Sequence, residues 1–346
     1  MKLHNRKPDI TELHKVLRRE KPTRPVLFEL FLNGPLYERL AGRKCAETGD
    51  RDFEYLRLVV EAFAAAGFDY ATTSGSAFGF PTGDKGHGAA TISLNQGFVI
   101  TDEETFENYA WQDPENFDYS RLEKIKPHLP DGMKLMVMGP SGVLENTINL
   151  VGYDNLCVML YDKPELAKRI FDAVGSRLLK YYEISAQYDS VGLIMSNDDW
   201  GFKTQTFLTP EQMREYVFPW HKKIVAAAHA AGHPAVLHSC GKPDEVMDDI
   251  INDMRFDGRH SYEDTIIPVE EAYDRWHDRI AIIGGMDLDF IIRSPEEEIV
   301  KRCTAMLDRA SIDGGYALGT GNSVPEYIPQ EKYLAIAKTA LNWSGK

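Results

Sequence analysis

The sequence predicts an α/β fold, a single (β/α)8 barrel of the TIM type with a long flap or hairpin inserted after the second strand. Three observations predict it. Eight short apolar, β-rich runs alternate with longer helical patterns. Several of those runs are continuously apolar instead of alternating, as in strands of a parallel sheet buried on both faces. Polar residues collect at the C-terminal ends of the runs, where such barrels keep their chemistry. A doubly wound open sheet is the rival, and the count of eight with the polar ends favours the barrel.

The strand candidates are residues 25–31 (PVLFELF), 68–74 (FDYATTS), 134–140 (KLMVMGP) and 191–198 (VGLIMSND), followed by 234–240 (PAVLHSC), 257–263 (DGRHSYE), 280–287 (IAIIGGMD) and 315–322 (GYALGTGN). The intervening stretches carry helix signals. RDFEYLRLVVEAFAAAG spaces Phe53, Leu56, Val60 and Phe63 along one helical face and stops at Gly67. TPEQMREYVFPWHKKIVAAAHAAG opens with Thr209 as N-cap, Pro210 in the first turn and Gln212 as capping-box partner, and ends at Gly232. SPEEEIVKRCTAMLDRA repeats that opening with Ser294, Pro295 and Glu297. The connection over 75–132 is unusually long, and Gly79, Gly83, Gly86 and Gly88 mark it as an irregular flap or small hairpin, either a binding lid or a tolerated insertion. With no internal repeat and no clear linker, residues 1–346 read as one domain with an N-terminal extension over 1–20.

Composition bounds the function classes. The net charge of −14 argues against sequence-independent nucleic-acid binding, which needs a basic surface. No apolar run approaches the roughly 20 residues that span a bilayer. The charged start MKLHNRKPDITELHKVLRREKPTR has no apolar core, so a secretory signal is not expected and a cytoplasmic location is. The four cysteines, Cys45, Cys157, Cys240 and Cys303, are scattered and form no CxxC pair; Cys45, Cys157 and Cys303 read as packing residues. An outer helix layer would permit a homodimer.

Several polar residues close the strand candidates: Glu29 in the first, Asp198 and Asp199 after the fourth, His238 and Cys240 after the fifth, His260 and Glu263 after the sixth, Asp287 after the seventh and Asn322 after the eighth. His238 and Cys240 form the most specific signal. Residues i and i+2 of a strand share a face, so both side chains reach one ion. Imidazole with thiolate is a zinc donor set, and a catalytic zinc takes a third protein ligand and keeps an open position. A core cysteine beside a hydrogen-bonded histidine is the bland alternative. Asp198 and Asp199 are candidates for acid–base work, substrate orientation or support of the histidine. As strand neighbours they face opposite ways, so one of the two is expected in the site.

These residues resemble a known family. GPSGVLENTINLVGYDNLCVMLYDKPELAKRIFDAV, AHAAGHPAVLHSCG and IAIIGGMDL are similar to the third, fifth and seventh strand regions of the uroporphyrinogen decarboxylase superfamily. The resemblance implies a (β/α)8 barrel and one of two chemistries. The decarboxylases carry an arginine-rich stretch after the first strand and a catalytic aspartate after the second; here the first strand continues FELFLNGPLYERL with no arginine before Arg39, and Gly75 and Ser76 stand where the aspartate is expected. The other branch, zinc-dependent methyltransferases that exchange methyl groups with corrinoid proteins, is marked by His-x-Cys-Gly, here His238, Cys240 and Gly241. Thiol-methylating members add a cysteine after strand eight, where this chain has Asn322. Related cobalamin-independent methionine synthases add a glutamate after strand six. The resemblance therefore implies Zn2+ held by His238, Cys240 and Glu263, with His260, Glu29 and Asn322 as rivals for the third place. It implies Glu29, His260, Asp287 and Asn322 against substrate, Asp198 or Asp199 as the catalytic carboxylate, and a methylcobalamin corrinoid supplied by a partner protein. The expected reaction moves a methyl group between a small O- or N-methylated compound, or a thiol, and that corrinoid. A decarboxylase and a non-catalytic zinc- or corrinoid-binding accessory protein are the alternatives.

Overall fold

In a computed structural model, which describes residues 3–4, 6–46, 49–83 and 93–345, seven strands form one parallel sheet in strict chain order. They are β1 (Tyr70–Ser74), β2 (Lys134–Met138), β3 (Val191–Asn197), β4 (Ala235–His238), β5 (Gly258–His260), β6 (Ala281–Ile283) and β7 (Tyr316–Ala317). Each lies inside one of the runs read as strands. Burial is continuous along β3, β4, β5, β6 and β7, which is why their sequences do not alternate.

The first predicted strand differs. Residues 25–31 make one ladder contact, a parallel bridge from Leu27 to Leu318 just past β7. Phe28 N donates to Leu318 O and Leu318 N to Val26 O. On its other side the Tyr70 phenol of β1 accepts from Glu29 N at 2.7 Å and donates to Glu29 O at 2.6 Å. This segment thus joins both edges of the curled sheet, one through backbone and the other through a side chain.

Helices cover the outer face. Arg51–Ala66 starts at Asp50, which accepts from Phe53 N, and ends at Gly67 with φ 101°. Thr209 and Gln212 form the expected capping box. That helical run is not uniform: Met213–Val217 is a π-turn, with Phe218 N donating to Met213 O. Pro219 explains it, because proline cannot continue the i→i−4 ladder. The helix Glu296–Asp313 begins one residue later than expected and has no side-chain cap, since Ser294 instead ends the preceding helix Leu288–Arg293. Residues 1–20 are not merely appended. Leu13, Val16 and Leu17 of the helix Ile10–Leu17 are fully buried, and His14 Nε2 meets Gly192 O at the start of β3 at 2.9 Å.

Residues 84–92 of the long connection, with Gly86 and Gly88, lie outside the described residues. Its described part forms short helical turns at Glu103–Asn108, Pro114–Asn116, Arg121–Lys124 and Lys126–His128, and no strand. The four cysteines are free; Cys303 is buried, but Cys157 is exposed and not a packing residue. No helix among the described residues is long and apolar enough to cross a membrane.

Candidate metal centre

Register decides which polar residues meet. Asn197 of β3 pairs with His238 of β4, and His238 pairs with His260 of β5. Paired residues of a parallel sheet share a face, so Asn197, His238 and His260 form one row. One step beyond, Asp199 and Cys240 belong to the same face. Ser196 and Asp198 have the opposite parity, and they point at the helix layer: Ser196 Oγ lies 2.9 Å from His221 Nδ1 and Asp198 Oδ2 lies 2.8 Å from His221 Nε2.

Asp199, His238 and Cys240 bring one ligand atom each within 4.8 Å of one another, the one such His/Cys/Asp/Glu group among the described residues. His238 Nε2 is 3.9 Å from Cys240 Sγ and 3.8 Å from Asp199 Oδ1. A tetrahedral zinc with bonds of about 2.0–2.3 Å holds its ligand atoms roughly 3.3–3.6 Å apart. The two His238 distances stand a few tenths of an ångström outside that range and all three ligand atoms lie within 4.8 Å of one another, so the donor set fits the ion after a modest contraction. Cys240 N donates to Asp199 Oδ1 at 2.8 Å, which orients the carboxylate toward the thiol. Gly241 turns the chain away with φ 94°, and a Cβ there would stand 2.5 Å from Gly201 O, so the motif needs glycine at this position.

The surroundings favour neutral donors in the metal-free chain. Burial, with the nearby Arg259 guanidinium, lowers His238 to about 4. Burial and the Asp199 carboxylate push the Cys240 thiol up, offset partly by Ser261 Oγ at 3.7 Å. A bound cation reverses that preference, since metal ligation takes the thiolate.

The remaining predicted residues divide clearly. Asn322 Nδ2 lies 3.4 Å from Cys240 Sγ, against the cluster. Glu263, expected as the third ligand, stands outside the cluster with its carboxylate 3.7 Å from Lys203 Nζ, and Asp199 takes the place beside His238 and Cys240. Residue 199 keeps the face of residue 197, whereas Glu263 lies three residues beyond the end of β5, where strand alternation no longer sets the direction of a side chain. Asp198 is sequestered. Its carboxylate accepts from Leu144 N and Glu145 N, capping the helix Val143–Val151, and holds His221. A Cβ on Gly142 would collide with it at 2.0 Å. Asp287 caps the helix Leu288–Arg293 and also accepts from Asp264 N. His260 uses both ring nitrogens, Nδ1 at 2.7 Å from His238 Nδ1 and Nε2 at 3.0 Å from Thr320 O, so it is closed to substrate.

Glu29 is wholly buried. Its Oε1 accepts from Thr320 N at 3.0 Å and its Oε2 lies 2.5 Å from Thr320 Oγ1, which is also 2.5 Å from Asn322 O. The threonine has one hydroxyl proton and the carbonyl can only accept, so the Glu29 contact is satisfied when the carboxyl itself donates. Burial pushes it to about 8, with the Thr320 bonds offsetting part of the shift.

Three residues had no distinct sequence signal. Glu145, beside Asp199, is held up at about 8 by burial and the Asp198 and Asp199 charges. Arg259 is fully buried, with Nη1 donating to Ser261 O and Nη2 to Ser239 O, tying the ends of β4 and β5 together. His221 hides in PWHKK, where its place on the buried helix face was the available clue. A cavity of about 520 Å³ is lined by Lys203, Tyr262, Glu263, Asp287, Asn322 and Tyr327 among others; none of the three cluster residues lines it, and Asn322, which touches Cys240, is its link to them.

The family model for uroporphyrinogen decarboxylase (URO-D) matches residues 103–343. The chain belongs to the uroporphyrinogen decarboxylase family. Within it, curated uroporphyrinogen decarboxylases of Anaeromyxobacter sp. and Myxococcus xanthus are 26% identical over 196 residues and 24% over 181, covering 56% and 52% of this chain. The chain spans about half the length of these relatives, 53% and 49%. Among solved structures, a methyltransferase from Methanosarcina mazei superposes with a TM-score of 0.69 at 13% identity, over 96% of this chain and 98% of that one. A putative vitamin-B12 independent methionine synthase from Listeria monocytogenes gives 0.50 at 14%, over 93% and 100%. At these identities both are likenesses of fold.

Proposed function

We propose that this family member is a zinc-dependent methyltransferase that moves a methyl group between a small O- or N-methylated compound, or a thiol, and a corrinoid protein. The single observation that carries the reading is the convergence of Asp199, His238 and Cys240 at the ends of β3 and β4. Those three residues would hold the ion. Zinc bound there supplies Lewis acidity toward the oxygen, nitrogen or sulfur that bears or receives the methyl group.

The chain's own groups prepare that centre. Neutral His238 with the Cys240 thiolate and the Asp199 carboxylate balances a divalent charge. In the metal-free chain, burial and the Asp198 and Asp199 charges push Glu145 toward its protonated form, which limits the negative charge beside Asp199. Asn322 Nδ2 faces Cys240 Sγ and supports a thiolate there. The cavity lined by Asn322 and Tyr262 could take a small substrate, with Asn322 standing between it and Cys240. The Methanosarcina mazei neighbour bears the name methyltransferase, and the curated relatives bear the name of a decarboxylase; the imidazole–thiol–carboxylate set, with Gly75 and Ser76 where the decarboxylase aspartate is expected, supports the former.

Elemental analysis of the purified chain tests the core of the reading, with one zinc per chain expected and less than a tenth of that in Cys240→Ser. Full zinc in the variant removes Cys240 as a ligand. Absorbance titration with a corrinoid protein and candidate methyl donors then separates the classes. Methyl transfer supports the proposal, binding without transfer favours an accessory protein, and carbon dioxide release from uroporphyrinogen without corrinoid favours the decarboxylase.

A further inference from the structure

The buried row behind the cluster has a direction. Thr320 O can only accept, so His260 Nε2, 3.0 Å away, carries a hydrogen. His260 is 0% exposed, its hydrogen-bonding neighbours are a carbonyl and another imidazole, and the buried Arg259 cation stands nearby. A second proton on this ring would be a buried charge hydrogen-bonded to no carboxylate, and the Asp199 charge is outweighed by burial and by Arg259, so the ring is neutral and its Nδ1 is bare. His238 Nδ1 lies 2.7 Å from that bare nitrogen, and one of the two must donate. The hydrogen therefore sits on His238 Nδ1, and in the neutral ring, which burial favours, His238 Nε2 presents its lone pair to Asp199 and Cys240.

We infer that His260, through its hydrogen bonds to Thr320 O and His238 Nδ1, is a positioning residue that locks His238 in the Nδ1–H tautomer and so aims a bare Nε2 at the Asp199–Cys240 pair. An imidazole on a mobile or water-facing ring chooses its tautomer freely, and for an exposed ring the Nε2–H form ordinarily competes. Here the choice is made by a carbonyl two residues before Asn322 and relayed through one ring. Glu29 completes the relay by holding residue 320 at both its N–H and its hydroxyl. Partners of this kind behind a metal-binding histidine fix its tautomer and orientation. The imidazole-to-imidazole contact sets this site apart from one in which the histidine donates directly to a carboxylate or a carbonyl. No full negative charge is passed to the ring, so the lone pair gains less basicity than a carboxylate partner would give it.

The consequence for metal binding rests on the zinc reading above; the tautomer does not, so the two are tested separately. Long-range 1H–15N spectra of the metal-free full chain, with 15N-labelled histidine and His238 assigned by its loss in His238→Gln, report the tautomer directly. The expected result is Nδ1–H at His238 in the wild type, shifting toward Nε2–H in His260→Leu. In His260→Asn, whose side-chain oxygen can stand where Nδ1 stood, Nδ1–H is expected to return. Nε2–H at His238 in the wild type overturns the inference, and that outcome needs no His260 variant to fold. So does Nδ1–H that persists unchanged in a folded His260→Leu. Chelator competition with Zn2+ alone is the second readout: His260→Leu is expected to bind about 10–100-fold more weakly and His260→Asn within a few-fold of wild type. A wild type that binds no zinc removes the metal reading alone and leaves the tautomer result to stand or fall on the spectra.

Discussion

Two polar centres flank the end of β3, one residue apart in sequence. Around Asp198 everything is closed: two backbone N–H groups and His221 saturate its carboxylate, and Ser196 saturates the far side of His221. Around Asp199 the arrangement is open, because His238 Nε2 stands 3.8 Å from its carboxylate, longer than an ordinary nitrogen–oxygen hydrogen bond, and 3.9 Å from Cys240 Sγ. Both centres contain a carboxylate and an imidazole. A saturated centre can only hold the fold together, whereas an unsaturated one, aimed at a common point, can take an ion. Composition does not separate them; the parity of one strand does.

Substitutions that break this contrast have graded outcomes. Asp198→Ala should have the largest effect on folding, because it orphans His221 and the first N–H groups of the helix Val143–Val151. We expect a loss of about 3–5 kcal/mol by urea denaturation, with stoichiometric zinc still bound in the fraction that folds. Asp199→Ala should do the reverse. Its unfolding midpoint in the metal-free state should stay within about 1 kcal/mol of wild type, while zinc affinity by chelator competition falls by more than the roughly 10–100-fold typical of outer partners. Equal loss of stability in both variants would erase the distinction between the two centres.

Glu29 tests the relay behind the open centre through pH. Its folded value of about 8 stands above its ordinary 4.5, so the folded chain binds a proton that the unfolded chain has released. This group's contribution is fully present below about pH 4.5 and is lost as pH rises through about 8, at a limiting slope on the order of 1.4 kcal/mol per pH unit. Glu29→Gln keeps the shape and cannot ionise. Its stability relative to wild type should therefore rise between pH 5 and pH 8.5 in metal-free thermal unfolding. A constant difference would mean that Glu29 is ionised in the fold. The smallest effect is expected from Glu263→Gln, which removes a carboxylate facing Lys203 outside the cluster. Zinc affinity should stay within a few-fold of wild type, and a loss as large as that of Asp199→Ala would return Glu263 to the ligand shell.

Much of the fold was legible because its signals are local. Apolar runs bounded by glycine, proline and caps located seven strands of a parallel sheet, and Thr209–Gln212 marked a helix start. The run at 25–31 carried the same signal as the others, yet it pairs only at Leu27, since a tyrosine phenol takes up the backbone groups of Glu29. A side-chain hydrogen bond from another strand leaves no mark in the segment that receives it. The site was legible in the same measure. His238 ends β4 and Cys240 follows two residues on, keeping the same face, so their convergence is a property of the chain itself.

By itself, then, the sequence determined the order of the strands, the helices that follow them, the imidazole–thiol pair on one strand face and the opposed directions of Asp198 and Asp199. Only the tertiary structure decided which of those aspartates joins the pair, and that Glu263 stands apart. It also decided that His260 backs His238 instead of reaching into the site. The physical reason is register. The alignment of Asn197, His238 and His260 across three parallel strands is set by the packing of the whole sheet. A shift of one residue in any of those strands would exchange the face that binds for the face that is buried.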